Sequence, residues 1–275
     1  MRPFLVVDGD SFAHRAYHGL PKSIRRGDGG PAGAIVGFVN MLVTLWEAER
    51  PRAVLVAWDT LEIVTYRHEA LEGYQGGREF DEELLEQLDL LPGLVEKLGW
   101  VCAKDGGYEA DDFLGAAATH AKGPVLVASG DRDSFQLASD RVTILMPVKG
   151  VSEIARIGPA EVRERYGIEP EQVPDFIALR GDPSDKIPGA PGIGAKRAAE
   201  LLSQYGTLEA VLEAGRFAPI AEELRLYRRM ATLDASAPLP PLDDQTPSWA
   251  EASDHFRRLG IKRVADRLAG LSSSS

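Results

Sequence analysis

The chain holds 275 residues, 44% of them hydrophobic, and carries a formal net charge of −11. That length fills one large domain, or one domain with a small satellite, and the single cysteine, Cys102, excludes a disulfide framework and a thiolate metal site. No stretch approaches the roughly 18 apolar residues of a membrane helix, and the short apolar run behind Met1 stops at Asp8, so a cytoplasmic protein without membrane contact is expected. Acidity taken alone argues against nucleic-acid binding, which needs local positive charge. It equally fits a body whose acids hold cations, and the positions of the acids decide between the two.

In chain order, Phe4-Leu5-Val6-Val7 reads as a buried strand ending at Asp8-Gly9-Asp10, and Ser11 is placed to cap a helix over residues 11–18. Residues 22–30 are polar and Gly-rich, the composition of a mobile loop. Ile35, Phe38, Val39, Leu42, Val43 and Trp46 recur at helical spacing, and Pro51 ends that unit. A second buried strand covers residues 53–58 and stops at Asp59. Residues 60–92 are charged and Gly-interrupted, with helical character over 81–91. A short third strand is expected at 101–103. Gly107-Tyr108-Glu109-Ala110-Asp111-Asp112 then leads into a helix of small residues over 113–121. Strands at 125–129 and 142–146 complete the alternation, the first running into Gly130-Asp131-Arg132-Asp133. Strand, loop and helix in alternation predict an α/β fold, a mostly parallel central sheet flanked by helices. Helices dominate after about residue 158. The expected division is an α/β core over 1–158, a helical region over 159–235, a Pro-rich linker with one C-terminal helix packed on the core over 236–271, and a disordered tail over 272–275.

One pattern recurs four times. An apolar strand ends and acids follow at once or within a short loop: Asp8, Asp59, the group Glu109, Asp111 and Asp112, and the pair Asp131 and Asp133. Parallel strands place such residues on one edge of the sheet, where open α/β folds bind their ligands. Crowded carboxylates repel one another unless a cation lies between them, and an oxygen-only set suits Mg²⁺ or Mn²⁺. Two ions about 4 Å apart would hold a scissile phosphate between them. A single acid at a strand end is more often a turn or cap residue; it is the repetition that points to a metal site.

The most specific stretch is Gly181-Asp182-Pro183-Ser184-Asp185-Lys186-Ile187-Pro188-Gly189-Ala190-Pro191-Gly192-Ile193-Gly194-Ala195-Lys196. Its glycines permit a tight turn, and the helix that follows offers free backbone N–H groups to an anion. Lys196 and Arg197 stand in the first turn of that helix, where cations do not help it and a phosphate neighbour would explain them. A hairpin of this kind grips a duplex backbone without reading bases. The bland alternative is a simple tight corner between helices.

Taken together these motifs, with Arg15-Ala16, Tyr66-Arg67-His68-Glu69 and Gln136-Leu137, resemble the 5′→3′ exonuclease and flap endonuclease family, especially the amino-terminal nuclease domain of bacterial DNA polymerase I, over roughly residues 2–235. The resemblance implies a PIN-like nuclease core, a helical arch at about 61–91 and a helix-hairpin-helix. It implies nine metal-site carboxylates: Asp8, Asp59, Glu109, Asp111, Asp112, Asp131, Asp133, Asp182 and Asp185. Arg67 and Arg78 join them as catalytic candidates. Arg15, Lys22, Arg67, Gln75, Arg78, Gly192, Gly194, Lys196 and Arg197 are candidate DNA contacts. It further implies two or three Mg²⁺ or Mn²⁺ ions, a K⁺ ion in the hairpin, and DNA with a 5′ flap, nick, gap or 5′ end as partner, RNA-primed DNA included, handled by a monomer during replication and repair.

Two departures stand out. The family usually has Tyr-Lys where this chain has Tyr74-Gln75, and asparagine where it has Lys186 after Asp185. The acidic run over 79–89 is also expected to loosen a threaded strand, and the unusual arch favours an independent nuclease over an excised domain. The departures keep two rivals open: a structure-specific DNA-binding module with impaired cleavage, and a PIN-like RNA nuclease. The hairpin argues against the second.

Overall fold

A computed structural model of the chain describes all residues except 61, 62, 72, 76–79, 150–152, 274 and 275. Six strands form one sheet: β1 (Phe4–Asp8), β2 (Ala53–Ala57), β3 (Val101–Ala103), β4 (Val125–Ala128), β5 (Val142–Lys149) and β6 (Glu153–Ile157). Their order is β3-β2-β1-β4-β5-β6, parallel throughout except for β6, which pairs antiparallel on β5. β6 was not foreseen, because its sequence Glu153-Ile154-Ala155-Arg156-Ile157 is a half-exposed edge with no run of apolar residues.

The helices are α1 (Gly9–Gly19), α2 (Gly33–Glu49), α3 (Tyr66–Ala70), α4 (Glu82–Lys97), α5 (Ala110–His120), α6 (Pro159–Tyr166), α7 (Val173–Arg180), α8 (Ala195–Tyr205), α9 (Leu208–Glu213), α10 (Ala221–Ala231), α11 (Trp249–Arg258) and α12 (Lys262–Ser272). Successive residues of each central strand face opposite layers. Phe4 and Val6 of β1 join the core under α5, α7, α8 and α10. Leu5 and Val7 join the core under α1, α2, α4, α11 and α12. Both faces are covered, which is why the inner strands read as unbroken apolar runs.

The path leaves β1 on the α1–α2 side to reach β2, and reaches β4 through α5 on the other side. The crevice between β1 and β4, beyond their carboxyl ends, is therefore a topological switch point. Gly9 is required there: a Cβ on it would stand 2.6 Å from the Trp58 ring and 2.7 Å from the Ala57 carbonyl oxygen.

Three expectations need correction. α1 begins at Gly9 rather than after Ser11, because Asp8 caps it by accepting the Ser11 N–H. The stretch of helical character expected over 81–91 is the first part of α4, whose Leu84, Leu88 and Leu91 are buried in the core, so this part of the expected arch lies against the body. The C-terminal helix is two helices, broken at Gly260 (φ 77°), and both pack on the core through Trp249, Phe256, Val264 and Leu268. Of the expected tail, Ser272 closes α12, and residues 274 and 275 lie outside the described residues.

Candidate metal centre

A cleft of about 1100 Å³ opens at the switch point. Asp8, Asp10, Asp59, Glu109, Asp111, Asp131, Asp133 and Asp185 line it. Each acid has a structural reason to be there. Asp8 ends β1, accepting the Ser11 N–H at 2.9 Å and the Ser129 hydroxyl at 2.8 Å. Asp59 follows β2 and accepts the Ala110 N–H at 2.7 Å, which ties it to the start of α5. Glu109 precedes α5 and accepts from the Thr65 hydroxyl at 2.9 Å and the Tyr74 hydroxyl at 3.1 Å. Asp131 turns the chain after β4 by accepting the Asp133 N–H at 2.9 Å. From the helical region, Asp185 accepts from the Gln75 amide at 3.2 Å.

The electrostatics of this wall are one-sided. Burial pushes the Asp8 carboxyl up to about 7, against hydrogen bonds from Ser11 and Ser129, with Asp59 and Asp131 adding repulsion. Burial likewise holds Asp10, Asp111 and Asp133 well above the ordinary aspartate range, each reinforced by neighbouring acids. Glu109 moves the same way, again by burial first, with Arg67 opposing. Asp111 Oδ1 is shut from solvent and has no hydrogen-bond partner among the described residues. A buried carboxylate oxygen without a donor costs free energy that a cation would recover. Hard oxygen donors, mutual repulsion and an orphaned oxygen fit a divalent ion. Among the described residues no three acidic, histidine or cysteine side chains stand close enough together, as placed, to hold an ion. The carboxylates bond to backbone amides and hydroxyls.

Asp112 does not belong to this wall. It is fully buried, and Arg67 grips it with two hydrogen bonds of 2.8 and 2.7 Å. The N–H groups of Glu109 and Asp234 take its remaining capacity at 3.0 and 2.8 Å. The expectation that Asp112 ligates a metal is therefore corrected: at the third position of α5 its side chain turns back toward the chain that precedes the helix. Arg67 is corrected with it. The residue is only 1% exposed; besides Asp112 it pairs with Glu109 of the wall at 3.4 Å and donates to the carbonyls of Met230 and Thr232, so its guanidinium is engaged within the protein instead of held out for a phosphate. Asp182 also lies outside the cleft lining, accepting from Arg180, the Ser184 amide and the Ser184 hydroxyl. Arg78 lies outside the described residues.

Among the candidate DNA contacts, Arg15 lines the cleft. Lys22 pairs with Asp81 at 2.7 Å, Arg25 with Glu83 at 2.8 Å and Arg26 with Glu86 at 2.6 Å. The loop expected to be mobile is thus fastened to the start of α4, and its cations are engaged by that helix's acids. Gln75 bridges the Tyr74 hydroxyl and Asp185. Lys186 sits at φ 58°, a left-handed conformation that asparagine tolerates better than lysine. In the hairpin, Gly192 takes φ 73°, Gly194 caps α8, and Lys196 and Arg197 are exposed beside them. The Gly192 carbonyl accepts from Arg197 at 3.3 Å. Gly189 is forced: a Cβ there would lie 2.3 Å from the Gly181 nitrogen.

Residues 3–167 match the family of the 5′-3′ exonuclease N-terminal resolvase-like domain, and residues 168–253 match its companion, the 5′-3′ exonuclease C-terminal SAM fold. The chain belongs to the 5′-3′ exonuclease family. Among curated members, DNA polymerase I of Mycobacterium leprae is 41% identical over 96% of this chain, and that of Bacillus subtilis is 33% identical over 97%. The chain spans about a third of the length of either relative (31% and 32%). The fold is that of a T5 5′-exonuclease structure described with bound zinc (TM-score 0.70, 20% identity, 97% of each chain covered). It is also that of the catalytic core of Rad2 in complex with DNA substrate (TM-score 0.62, 13% identity, covering 97% of this chain and 92% of that one). This 5′-3′ exonuclease family chain joins the two matched units through one continuous core, since residues of α5, α7, α8 and α10 pack together.

Sequence reasoning missed Asp10, although it stands in the same Asp-Gly-Asp motif as Asp8. The signal was an acid in the first turn of a helix that starts directly at a strand end. It also missed Thr65, Tyr74 and Ser129, whose hydroxyls hold Glu109 and Asp8. Hydroxyls in loops carry no pattern of their own.

Proposed function

We propose that this chain is a structure-specific 5′ nuclease that hydrolyses DNA phosphodiesters, cutting 5′ flaps near their junction and shortening DNA from 5′ ends during primer removal, replication and repair. The observation that carries the reading is the orphaned Asp111 Oδ1 in a wall of buried, mutually repelling carboxylates at the switch point. Asp8, Asp59, Glu109, Asp111, Asp131, Asp133 and Asp185 are the residues that would hold Mg²⁺ or Mn²⁺. Such ions supply charge stabilisation at the phosphate and a more acidic water. The chain's own part is to fix those acids by backbone hydrogen bonds and to present Arg15 at the cleft. Gly192, Gly194, Lys196 and Arg197 are placed to take duplex phosphates at the start of α8. A K⁺ ion held by the carbonyls of the hairpin turn belongs to the same reading, and the Gly192 carbonyl, which accepts one bond from Arg197 at 3.3 Å, keeps a second lone pair.

One observation favours the second reading, a DNA-binding module with weak cleavage. Among the described residues lining the cleft, Arg15 and Arg67 are the only lysine or arginine side chains, and Arg67 is committed to Asp112. Cleavage of a 5′-labelled flap DNA in Mg²⁺ and in Mn²⁺, comparing the parent with Asp131→Ala, separates the readings. Cutting near the junction that the substitution abolishes supports the nuclease. Binding of the flap with no cutting in either metal supports the module.

A further inference from the structure

We propose that Asp10 is a positioning residue, which sets the Asp59 carboxylate by holding the Asp59 backbone amide. β1 and β2 pair in register to the last position, Asp8 opposite Ala57. There the two chains part. β1 turns at once into α1, because Asp8 caps it, while the chain of β2 runs on through Trp58 to Asp59. The Trp58 amide is taken by the carbonyl of Ala103, the last residue of β3. The next amide, that of Asp59, has no strand partner, and Asp10 Oδ2 accepts it at 2.7 Å. Gly9 makes this reach possible by letting α1 close on Trp58 and the Ala57 carbonyl.

With its amide fixed, Asp59 turns its own carboxylate to the Ala110 N–H at 2.7 Å, at the first residue of α5. One short path, from Asp10 through Asp59 to Ala110, therefore links the start of α1, the end of β2 and the start of α5. Each of those elements carries acids of the cleft: Asp8, Asp59, and Glu109 with Asp111. Asp10 is itself buried, at 9% exposure, and lines the cleft. A side chain placed beside like charges and bonded to a backbone amide does for Asp59 what a hydroxyl partner does for Asp8. Its role is geometric, and it follows that an asparagine, which keeps an acceptor oxygen, replaces it, whereas alanine does not.

The proposal rests on the nuclease reading for its kinetic arm only. The structural arm is amide hydrogen exchange at Asp59, followed by NMR in ¹⁵N-labelled full-length protein free of divalent ions. Asp10→Ala is expected to lose protection at that amide by about tenfold or more, and Asp10→Asn to keep it. If Asp10→Ala does not fold, Asp10→Ser, too short to reach the amide, takes its place. On flap DNA, Asp10→Ala is expected to lower kcat on the order of 10²-fold, the size of effect a misplacement of about 1 Å produces, with KM for DNA within about twofold of the parent. Asp10→Asn is expected to restore kcat to within about threefold. An Asp59 amide equally protected in Asp10→Ala and the parent overturns the proposal. So does an Asp10→Asn protein as slow as Asp10→Ala with the amide still protected, since Asp10 would then act through its charge. A parent that binds flap but cuts nothing would defeat the nuclease reading, and the exchange experiment would still decide the role of Asp10.

Discussion

Asp111 and Asp112 are neighbours on the first turn of α5, and the two sides of that helix have opposite electrostatics. On one side Asp112 meets Arg67 and two backbone amides, so a buried charge is fully matched. On the other, Asp111 faces Asp8, Asp59, Asp131 and Asp133, and one of its oxygens has no donor among the described residues. The first side is built to hold the protein together. The second is under electrostatic stress, which a bound proton or a metal cation relieves. Adjacent residues of one type thus divide into structural and functional roles by what the rest of the fold brings to them.

The largest test of this contrast removes the cation on the matched side. Arg67→Ala leaves Asp112 buried and unpaired, which should cost about 3–5 kcal/mol of folding stability, read by urea unfolding. A loss no larger than that of an ordinary surface substitution would break the comparison. The next test is pH. Asp8 ionises near 7 in the folded chain because of burial, but near the ordinary aspartate value when unfolded. Between those values the folded state holds a proton that the unfolded state has released. Stability from this group is therefore complete below about pH 4 and is lost as pH rises through about 7, and Asp10, Asp111 and Asp133 push in the same direction. In chelator, the melting temperature should fall between pH 5 and pH 8, and millimolar Mn²⁺ should flatten the slope. A melting temperature that rises across that interval in chelator would contradict the account.

The alternation of apolar runs and loops made five strands and the mixed nature of the fold readable, because strands buried on both faces leave an unmistakable composition. Acids at strand ends were readable for the same reason. What the sequence hid was direction. Asp112 looks as good a ligand as Asp111 until Arg67 arrives from 45 positions upstream, and the edge strand β6 has no apolar run to announce it. The acidic residues of α4 looked like a hindrance to DNA. In the fold they neutralise the loop at 22–26, which no local pattern could reveal.

That rim supplies the smallest test. Exposed ion pairs contribute little to stability, so Glu83→Gln with Glu86→Gln should leave the melting temperature nearly unchanged. It frees Arg25 for phosphate, while Arg26, its side chain 9% exposed, keeps Asp28 and the Pro31 carbonyl. KM for flap DNA should fall, and the slope of log affinity against log salt should steepen by about 0.9 for each cation released to the DNA. An unchanged slope would show that this cation does not reach the substrate.

The most direct test of the central claim is Mn²⁺ binding followed by electron paramagnetic resonance in the absence of DNA, comparing the parent with Asp111→Asn near pH 8. The account predicts saturable binding by the parent that weakens by at least tenfold, or loses a site, when the orphaned carboxylate becomes an amide. Equal binding by the two proteins, or none by the parent at millimolar Mn²⁺, would contradict it.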